Sequence, residues 1–168
     1  SMSKGPTVTG AGLEKALHKL GVAPGDALLV HSSLSSLGHV DGGADAVIDV
    51  LVRVLGPDGL LVMPTFTHSR VNPPRGGDPD PFDPAVTPCR RRTGVVPDTF
   101  WRRPGVKRSR HPTHSLAALG PRADEELAGG GVFVLLQALP HGLAAQGLHP
   151  GDADLAAGAA LGHALRRL

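Results

Sequence analysis

Apolar residues follow two different spacings in the first third of the chain. Over 11–20 and 43–55 they recur every three or four positions, which is typical of amphipathic helices, and Thr9 is placed to cap the first helix. Two short continuous apolar runs, 27–30 and 60–63, follow turn residues and indicate buried strands, the second broken by Pro64. The order helix, strand, helix, strand predicts a parallel pair of strands joined by a right-handed crossover.

Both predicted strands end in polar residues. His31 and four serines in five positions follow the first strand, and the run TFT at 65–67 follows the second. Parallel strands place their carboxyl ends at one edge of a sheet, where α/β proteins bind ligands, so we expect these residues to lie side by side. Hydroxyls and the backbone N–H groups of a helix start suit a phosphate or another polar ligand. An ordinary hydrogen-bonded turn explains the serines equally well.

The later part of the chain is less regular. Residues 68–88 form a long loop rich in Pro, Gly and Asp, and short helices are predicted over 93–101 and 123–127. The last forty residues are mostly Ala, Gly and Leu, with a possible strand over 132–136 and a weak helical pattern over 155–168. We therefore divide the chain into an α/β core, 1–128, and a divergent C-terminal segment, 129–168.

Charge is distributed unevenly along the chain. Residues 89–110 contain seven arginines and one lysine against a single acid, Asp98, whereas the remainder has nine basic and fourteen acidic residues. This concentration suggests an anionic ligand, with a solvated basic loop as the alternative. Nucleic acid is a weaker option, because only Phe100 and Trp101 lie nearby to stack on bases. Cys89 lies among the arginines, so we expect a lowered thiol pKa.

Several classes of protein are disfavoured by what the sequence lacks. A single cysteine excludes an internal disulfide and a cysteine-built zinc site, and His111 with His114 alone is too weak a pattern to predict a metal. The serine-hydrolase elbow, the P-loop and the dinucleotide-binding glycine pattern are absent. Without a long apolar run or a signal-peptide pattern we expect a cytoplasmic protein that has no membrane or nucleic-acid partner, while oligomerisation stays open.

Four blocks of the sequence resemble a known enzyme family. LLVHSSLSSLGHVDGGADAVIDVL, GPDGLLVMPTFT, FDPAVTP and TGVVPDTFWRRPGVKRSRHPTHSLAALGPRADEEL are similar, in order and spacing, to successive blocks of the aminoglycoside 3-N-acetyltransferases. The resemblance covers about residues 7–127. It implies the α/β fold of that family, a sheet flanked by helices, in a truncated or rearranged version. It also implies transfer of acetyl from acetyl-coenzyme A to the 3-amino group of an aminoglycoside antibiotic, an activity that confers resistance.

The resemblance also suggests roles for individual residues, with no metal among them. The H-S-S-L block, 31–34, and the R-S-x-H-P block, 108–112, would contribute to the coenzyme site, and the acidic loop would suit a polycationic sugar. Direct attack of the substrate amine on the thioester needs a base, for which His31 and His111 are the candidates. The expected coenzyme-binding residues are Ser32, Ser33, Leu34, Ser36, Arg108 and Ser109. The expected substrate-binding residues are Thr65, Phe66, Asp78, Asp80 and Asp83.

One family block has no counterpart. The family's T-x-x-H-x-x-E pattern, which supplies a catalytic histidine and a glutamate, is missing, and no Glu occurs after Glu126. The alternative function is therefore a catalytically impaired remnant that binds coenzyme A or aminoglycoside without turnover.

Overall fold

The computed structural model describes residues 7–31, 34–67, 82–128 and 165–167. Within these ranges the chain forms both strands and helices. A 3₁₀ turn, Leu34–Leu37, precedes β3. In chain order the elements are β1 (Thr7–Val8), α1 (Gly10–Lys19), β2 (Ala27–Val30), β3 (His39–Val40), α2 (Gly43–Leu55), β4 (Leu60–Pro64), α3 (Arg90–Thr93), α4 (Val95–Trp101), β5 (Lys107–Arg108), β6 (Leu116–Leu119), α5 (Ala123–Ala128) and β7 (Leu165–Arg167).

The two predicted amphipathic helices are confirmed. Thr9 caps α1, because its Oγ1 accepts a hydrogen bond from the Gly12 N–H at 3.1 Å. Helix α2 has the predicted bounds and ends where the Gly56 N–H donates to the Val52 carbonyl. Local sequence therefore fixes the ends of both helices.

A five-stranded mixed sheet, in the order β5-β6-β4-β2-β7, forms the centre of the molecule. The predicted parallel pairing of β2 with β4 is confirmed, with Leu28 opposite Leu61 and Leu29 opposite Val62. All other pairs in this sheet are antiparallel, and β1 pairs with β3 in a separate parallel ribbon. The carboxyl ends of β2 and β4 consequently lie at one edge, as predicted.

Two local predictions are wrong. Pro64 does not break the second strand: it is the last residue of β4, opposite Leu116, and the ladder continues past it through the Thr65 N–H to the Ser115 carbonyl. A proline at a strand end loses one N–H without interrupting the pairing beyond it.

The other wrong prediction concerns the end of the predicted C-terminal helix. Residues 165–167 form β7, because pairing with the edge of β2 satisfies backbone groups that an open edge would leave unpaired. Residues 155–164 and the possible strand at 132–136 lie outside the described residues, and the division at residue 128 stays a prediction.

Side chains alternate between the two faces of the sheet. Leu28, Leu61 and Met63 face the larger hydrophobic cluster, which α1, α2 and α4 cover. Leu29 and Val62 face a smaller cluster, to which Ala123 and Leu127 of α5 contribute. The described sheet is thus flanked by helices on both faces, in agreement with the predicted fold class. No helix in the described ranges is both long and apolar enough to cross a membrane.

We expect Gly120→Ala to destabilise the fold by about 3 kcal/mol or more. Gly120 has φ +140°, and a Cβ there would overlap the carbonyl oxygen of Gly59, which is backbone and cannot rotate away. Gly10→Ala is the matched control, because its Cβ would make an ordinary 3.5 Å contact with Val50. Urea unfolding of both variants measures the difference, and equal midpoints would contradict the prediction.

Candidate functional site

The site lies where β4 ends and a loop, residues 109–115, connects β5 to β6. Hydrogen bonds join the two segments: the Thr65 N–H donates to the Ser115 carbonyl at 2.9 Å, and the Thr67 N–H donates to the Thr113 carbonyl at 3.2 Å. The Thr67 hydroxyl donates to the Pro112 carbonyl at 2.6 Å. The 109–115 loop is therefore held against the carboxyl end of β4.

Arg108 fixes this junction from the inside. Its guanidinium donates from Nη1 to the Thr87 carbonyl at 2.6 Å, and from Nη2 to the Thr65 carbonyl at 3.0 Å. Its Nε lies 3.1 Å from the Thr65 hydroxyl and 3.3 Å from that of Ser115. Burial lowers the pKa of Arg108, although Cys89 and Asp98 act in the opposite direction. The group nevertheless stays charged, because an arginine side chain does not deprotonate in proteins.

Two aromatic rings complete the surroundings of this cation. The Arg108 Cζ atom lies 4.5 Å from the centroid of Trp101 and 5.2 Å from that of Phe82. Cation–π contacts at these distances stabilise a charge that is partly removed from water. Arg108 thus joins β4, the 82–88 segment and α4 at one point.

Thr65 and Ser115 form a fully buried pair of hydroxyls 2.8 Å apart. The Ser115 hydroxyl also lies 2.7 Å from the Thr65 carbonyl and donates to it. The whole of Thr65 is therefore buried, and its backbone N–H and carbonyl are hydrogen-bonded within the protein. Its predicted substrate role stays a prediction.

Asp98 holds the helix beside Arg108. Its carboxylate accepts hydrogen bonds from the Cys89 N–H at 2.9 Å, from Trp101 Nε1 at 3.1 Å and from Arg102 Nη2 at 3.3 Å. Burial acts to raise the pKa of Asp98, but these donors outweigh burial and hold the pKa below its ordinary value. The ionised carboxylate therefore stays in place to orient the ring of Trp101.

The expectation of a lowered Cys89 pKa is wrong. Burial raises the pKa of this thiol to about 11, and the charge of Asp98 acts in the same direction, against a hydrogen bond with Thr93 and the charge of Arg108. The sequence places several arginines beside Cys89, but the thiol itself is 1% exposed, so loss of solvation dominates. Cys89 is a core residue here.

Much of the charge in the basic segment is used within the protein. Arg103 bonds Asp45 and Asp49 of α2 at 2.8 and 2.6 Å, and Lys107 pairs with Asp124 of α5. Arg102 pairs with Asp98, and Arg108 is partly buried. The exposed arginines that remain available to an anion in the described segment are Arg90, Arg91, Arg92 and Arg110.

Two histidine rings lie on the outer side of the 109–115 loop. The ring of His114 meets that of Phe66 edge-on, with centroids 4.8 Å apart, and the ring of His111 lies 5.5 Å from that of His114. Both histidines are exposed, whereas Phe66 is half-buried. Within the described residues, no group of three or more His, Cys, Asp or Glu side chains could hold a metal ion. The arrangement can offer imidazole nitrogens and an apolar ring edge to a ligand.

The remaining predicted coenzyme and base residues are only partly described. His31 is exposed at the end of β2, and Leu34 packs against the larger hydrophobic cluster. The Ser109 hydroxyl accepts from the Leu116 N–H at 2.9 Å, which anchors one end of the loop. Ser32 and Ser33 lie outside the described residues, and Ser36 is described by its backbone alone. Their coenzyme roles stay predictions.

Of the three acids predicted to bind substrate, the structure describes only Asp83. Asp83 is exposed, and its carboxylate accepts from the Ala85 N–H at 2.8 Å, so it already stabilises a turn. Asp78 and Asp80 lie outside the described residues. A role of this acidic loop in holding a cation stays a prediction.

A family model described as aminoglycoside 3-N-acetyltransferase matches residues 29–130. The chain belongs to this family. Among curated relatives, it is 48% identical over 109 residues to aminoglycoside N(3)-acetyltransferase IV from Salmonella, covering 65% of this chain and 38% of that protein. It is 36% identical over 122 residues to aminoglycoside N(3)-acetyltransferase III from Salmonella, covering 67% and 43%. The chain thus spans less than half the length of these relatives.

Solved structures of the same family have a similar fold. The apoenzyme of aminoglycoside acetyltransferase AAC(3)-IVa matches with a TM-score of 0.62 and 44% identity, over 73% of this chain and 45% of that one. The complex of AAC-IIIb with CoASH matches with a TM-score of 0.64 and 32% identity, over 73% and 50%. The alignments confirm the family resemblance and the fold class.

Sequence reasoning missed the inward-facing partners of the site, Thr67, Trp101 and Ser115. Ser115 directly precedes an apolar run, and Thr67 follows one, so each is placed at the end of a strand. A polar side chain buried at such a position needs a hydrogen-bond partner. The identity of that partner depends on the pairing of β4 with β6, which are far apart in sequence.

Replacing Arg108 should destabilise the protein far more than replacing a neighbouring arginine. We expect Arg108→Met to cost about 3 kcal/mol, because the carbonyls of Thr65 and Thr87 lose a charged donor. Arg108→Lys should recover part of this loss, since lysine keeps the charge but lacks the planar fork. Exposed Arg110→Met is the control and should change stability by less than about 0.5 kcal/mol. Similar urea midpoints for the Met variants at 108 and 110 would contradict this account.

Alkylation should detect the unreactive state of Cys89. With its pKa raised from 9.0 to about 11, the thiolate fraction at pH 8 is about 100-fold below that of an unfolded cysteine. Iodoacetamide labelling should therefore be at least about 100-fold slower in native protein than in guanidinium chloride. Because the thiol ionises more readily in the unfolded protein, the free energy of unfolding should fall as the pH rises from about 9 to about 11. Fast native labelling at pH 8 would show that the thiol is exposed.

Proposed function

We propose that this chain binds acetyl-coenzyme A and transfers its acetyl group to the 3-amino group of an aminoglycoside antibiotic. The observation that supports this most strongly is the family match over residues 29–130, which contains both the H-S-S-L block and the R-S-x-H-P block. Related structures are described as an AAC-IIIb complex with CoASH and as AAC(3)-IVa complexes with gentamicin and apramycin. A cytoplasmic location belongs to the same proposal, since acetyl-coenzyme A is made and used there.

The chemistry of the proposed transfer is direct. The lone pair of the substrate amine attacks the thioester carbonyl, a base accepts a proton from the amine, and the thiolate of coenzyme A leaves as the amide forms. Hydrogen-bond donors near the carbonyl oxygen would stabilise the oxyanion. His31, exposed at the carboxyl end of β2, is the proposed base. The acids of the 78–83 region would attract the cationic sugar.

A second candidate function is binding without turnover. The chain lacks the T-x-x-H-x-x-E block and spans 38% of aminoglycoside N(3)-acetyltransferase IV. A chain with the coenzyme blocks but without that histidine and glutamate would bind coenzyme A, or the aminoglycoside, and leave the acetyl group in place.

Calorimetric titration with coenzyme A, followed by an assay of thiol release with a panel of aminoglycosides, separates these functions. The transferase predicts saturable binding and acetyl-dependent release of free thiol. Binding without release identifies the second function, and absence of both heat and a thermal shift overturns both coenzyme-based proposals.

Variants of two exposed histidines locate the base in this assay. His31→Ala should abolish turnover, whereas His39→Ala, at an exposed position in the separate β1–β3 ribbon, should leave it unchanged. Turnover that survives His31→Ala would show that His31 is not the base.

A further inference from the structure

The backbone of its own loop fixes the proton on the ring of His111. The N–H of His114 donates to the Nδ1 atom of His111 at 2.9 Å, and the N–H of Thr113 approaches the same atom at 3.3 Å. A backbone amide is always a donor, so Nδ1 must present its lone pair to these groups. A neutral imidazole carries one hydrogen on its two nitrogens, and that hydrogen is therefore on Nε2.

This tautomer has a consequence for the chemistry of the loop. A general base needs an accessible lone pair, but the lone pair of His111 is directed at two amides of the 109–115 loop. The hydroxyl of Thr113 lies 3.3 Å from the same nitrogen and crowds it further. Protonation at Nδ1 would place a third hydrogen against two backbone hydrogens and open the turn. The nitrogen left for a ligand is Nε2, which is a donor.

The position of the ring suits a ligand contact. His111 is exposed, it lies in the matched R-S-x-H-P block, and the exposed Arg110 precedes it. Both ends of the loop are anchored, by Ser109 on Leu116 and by Ser115 on Thr65, so the ring is held on a rigid frame.

We infer that His111 is a neutral hydrogen-bond donor, acting through Nε2–H on an oxygen atom of bound coenzyme A, and is not the base. The inference rests on the proposed function for the identity of that ligand. Coenzyme A offers phosphate and amide oxygens as acceptors. A neutral Nε2–H can donate to either kind of oxygen, and unlike an imidazolium it brings no charge of its own that the ligand would have to desolvate. The assignment leaves His31 as the base candidate in the two matched coenzyme blocks.

The tautomer is measurable without any ligand. In the ¹⁵N-labelled wild-type protein, the ring resonances of His111, assigned by their loss in His111→Asn, should show a protonated Nε2 and an unprotonated Nδ1 at neutral pH. The reverse pattern overturns the inference whether or not coenzyme A binds.

The donor role is tested by His111→Asn, because the asparagine oxygen can replace Nδ1 as acceptor for the two amides while removing Nε2–H. We expect coenzyme A to bind about three- to tenfold more weakly, with an unchanged unfolding temperature. His39→Asn is the matched control and should bind as wild type does. If wild type binds coenzyme A and His111→Asn binds equally well, this inference alone fails. If wild type does not bind, the proposed function fails and this contact with it.

Discussion

A single partly buried cation, the guanidinium of Arg108, is the constraint on which the described site depends. It donates to backbone carbonyls of Thr65 and Thr87, and it contacts the rings of Trp101 and Phe82. Within the described residues its hydrogen-bond acceptors are backbone carbonyls and hydroxyls, so carbonyl dipoles and aromatic faces provide its local stabilisation. A charge placed in this way is costly to bury and costly to leave without its partners, and it therefore specifies one arrangement of the segments around it.

The position of the outer residues follows from this inner contact. Arg108 Nε is hydrogen-bonded to the hydroxyls of Thr65 and Ser115, which also bond each other. Thr65 follows β4 and Ser115 is the last residue of the 109–115 loop, so these contacts fix the loop against the strand. The side chains of His111 and His114 then project from a loop whose two ends are already fixed. Because the anchors are buried and the histidines are exposed, the loop combines a rigid base with groups that solvent and ligand can reach. Within the short block 108–112, Arg108 therefore points into the protein and His111 points outward.

Local patterns were sufficient for the helices and the parallel strands, and insufficient for the basic segment. Apolar spacing predicted α1, α2 and the pairing of β2 with β4, since each depends on neighbours in sequence. In sequence the eight cations of 89–110 form one cluster, but side chains alternate along β5, so that Lys107 pairs with Asp124 while Arg108 points into the interior. Arg103 meets acids more than fifty residues away. Charge in sequence is therefore a poor guide to charge at a surface when distant acids pack against the same segment.

Holding a ligand and accepting a proton require different things of a side chain. The 109–115 loop owes its geometry to Arg108, Thr65 and Ser115, whose side chains are hydrogen-bonded to one another. A base needs a free lone pair, and the geometry of His111 directs its lone pair to the backbone. The base role proposed for His31 would therefore place proton transfer on a different block, at the residue that follows β2. The His31 segment follows β2 and the 109–115 loop packs against the end of β4, so these two candidate segments lie at neighbouring strand ends of one sheet.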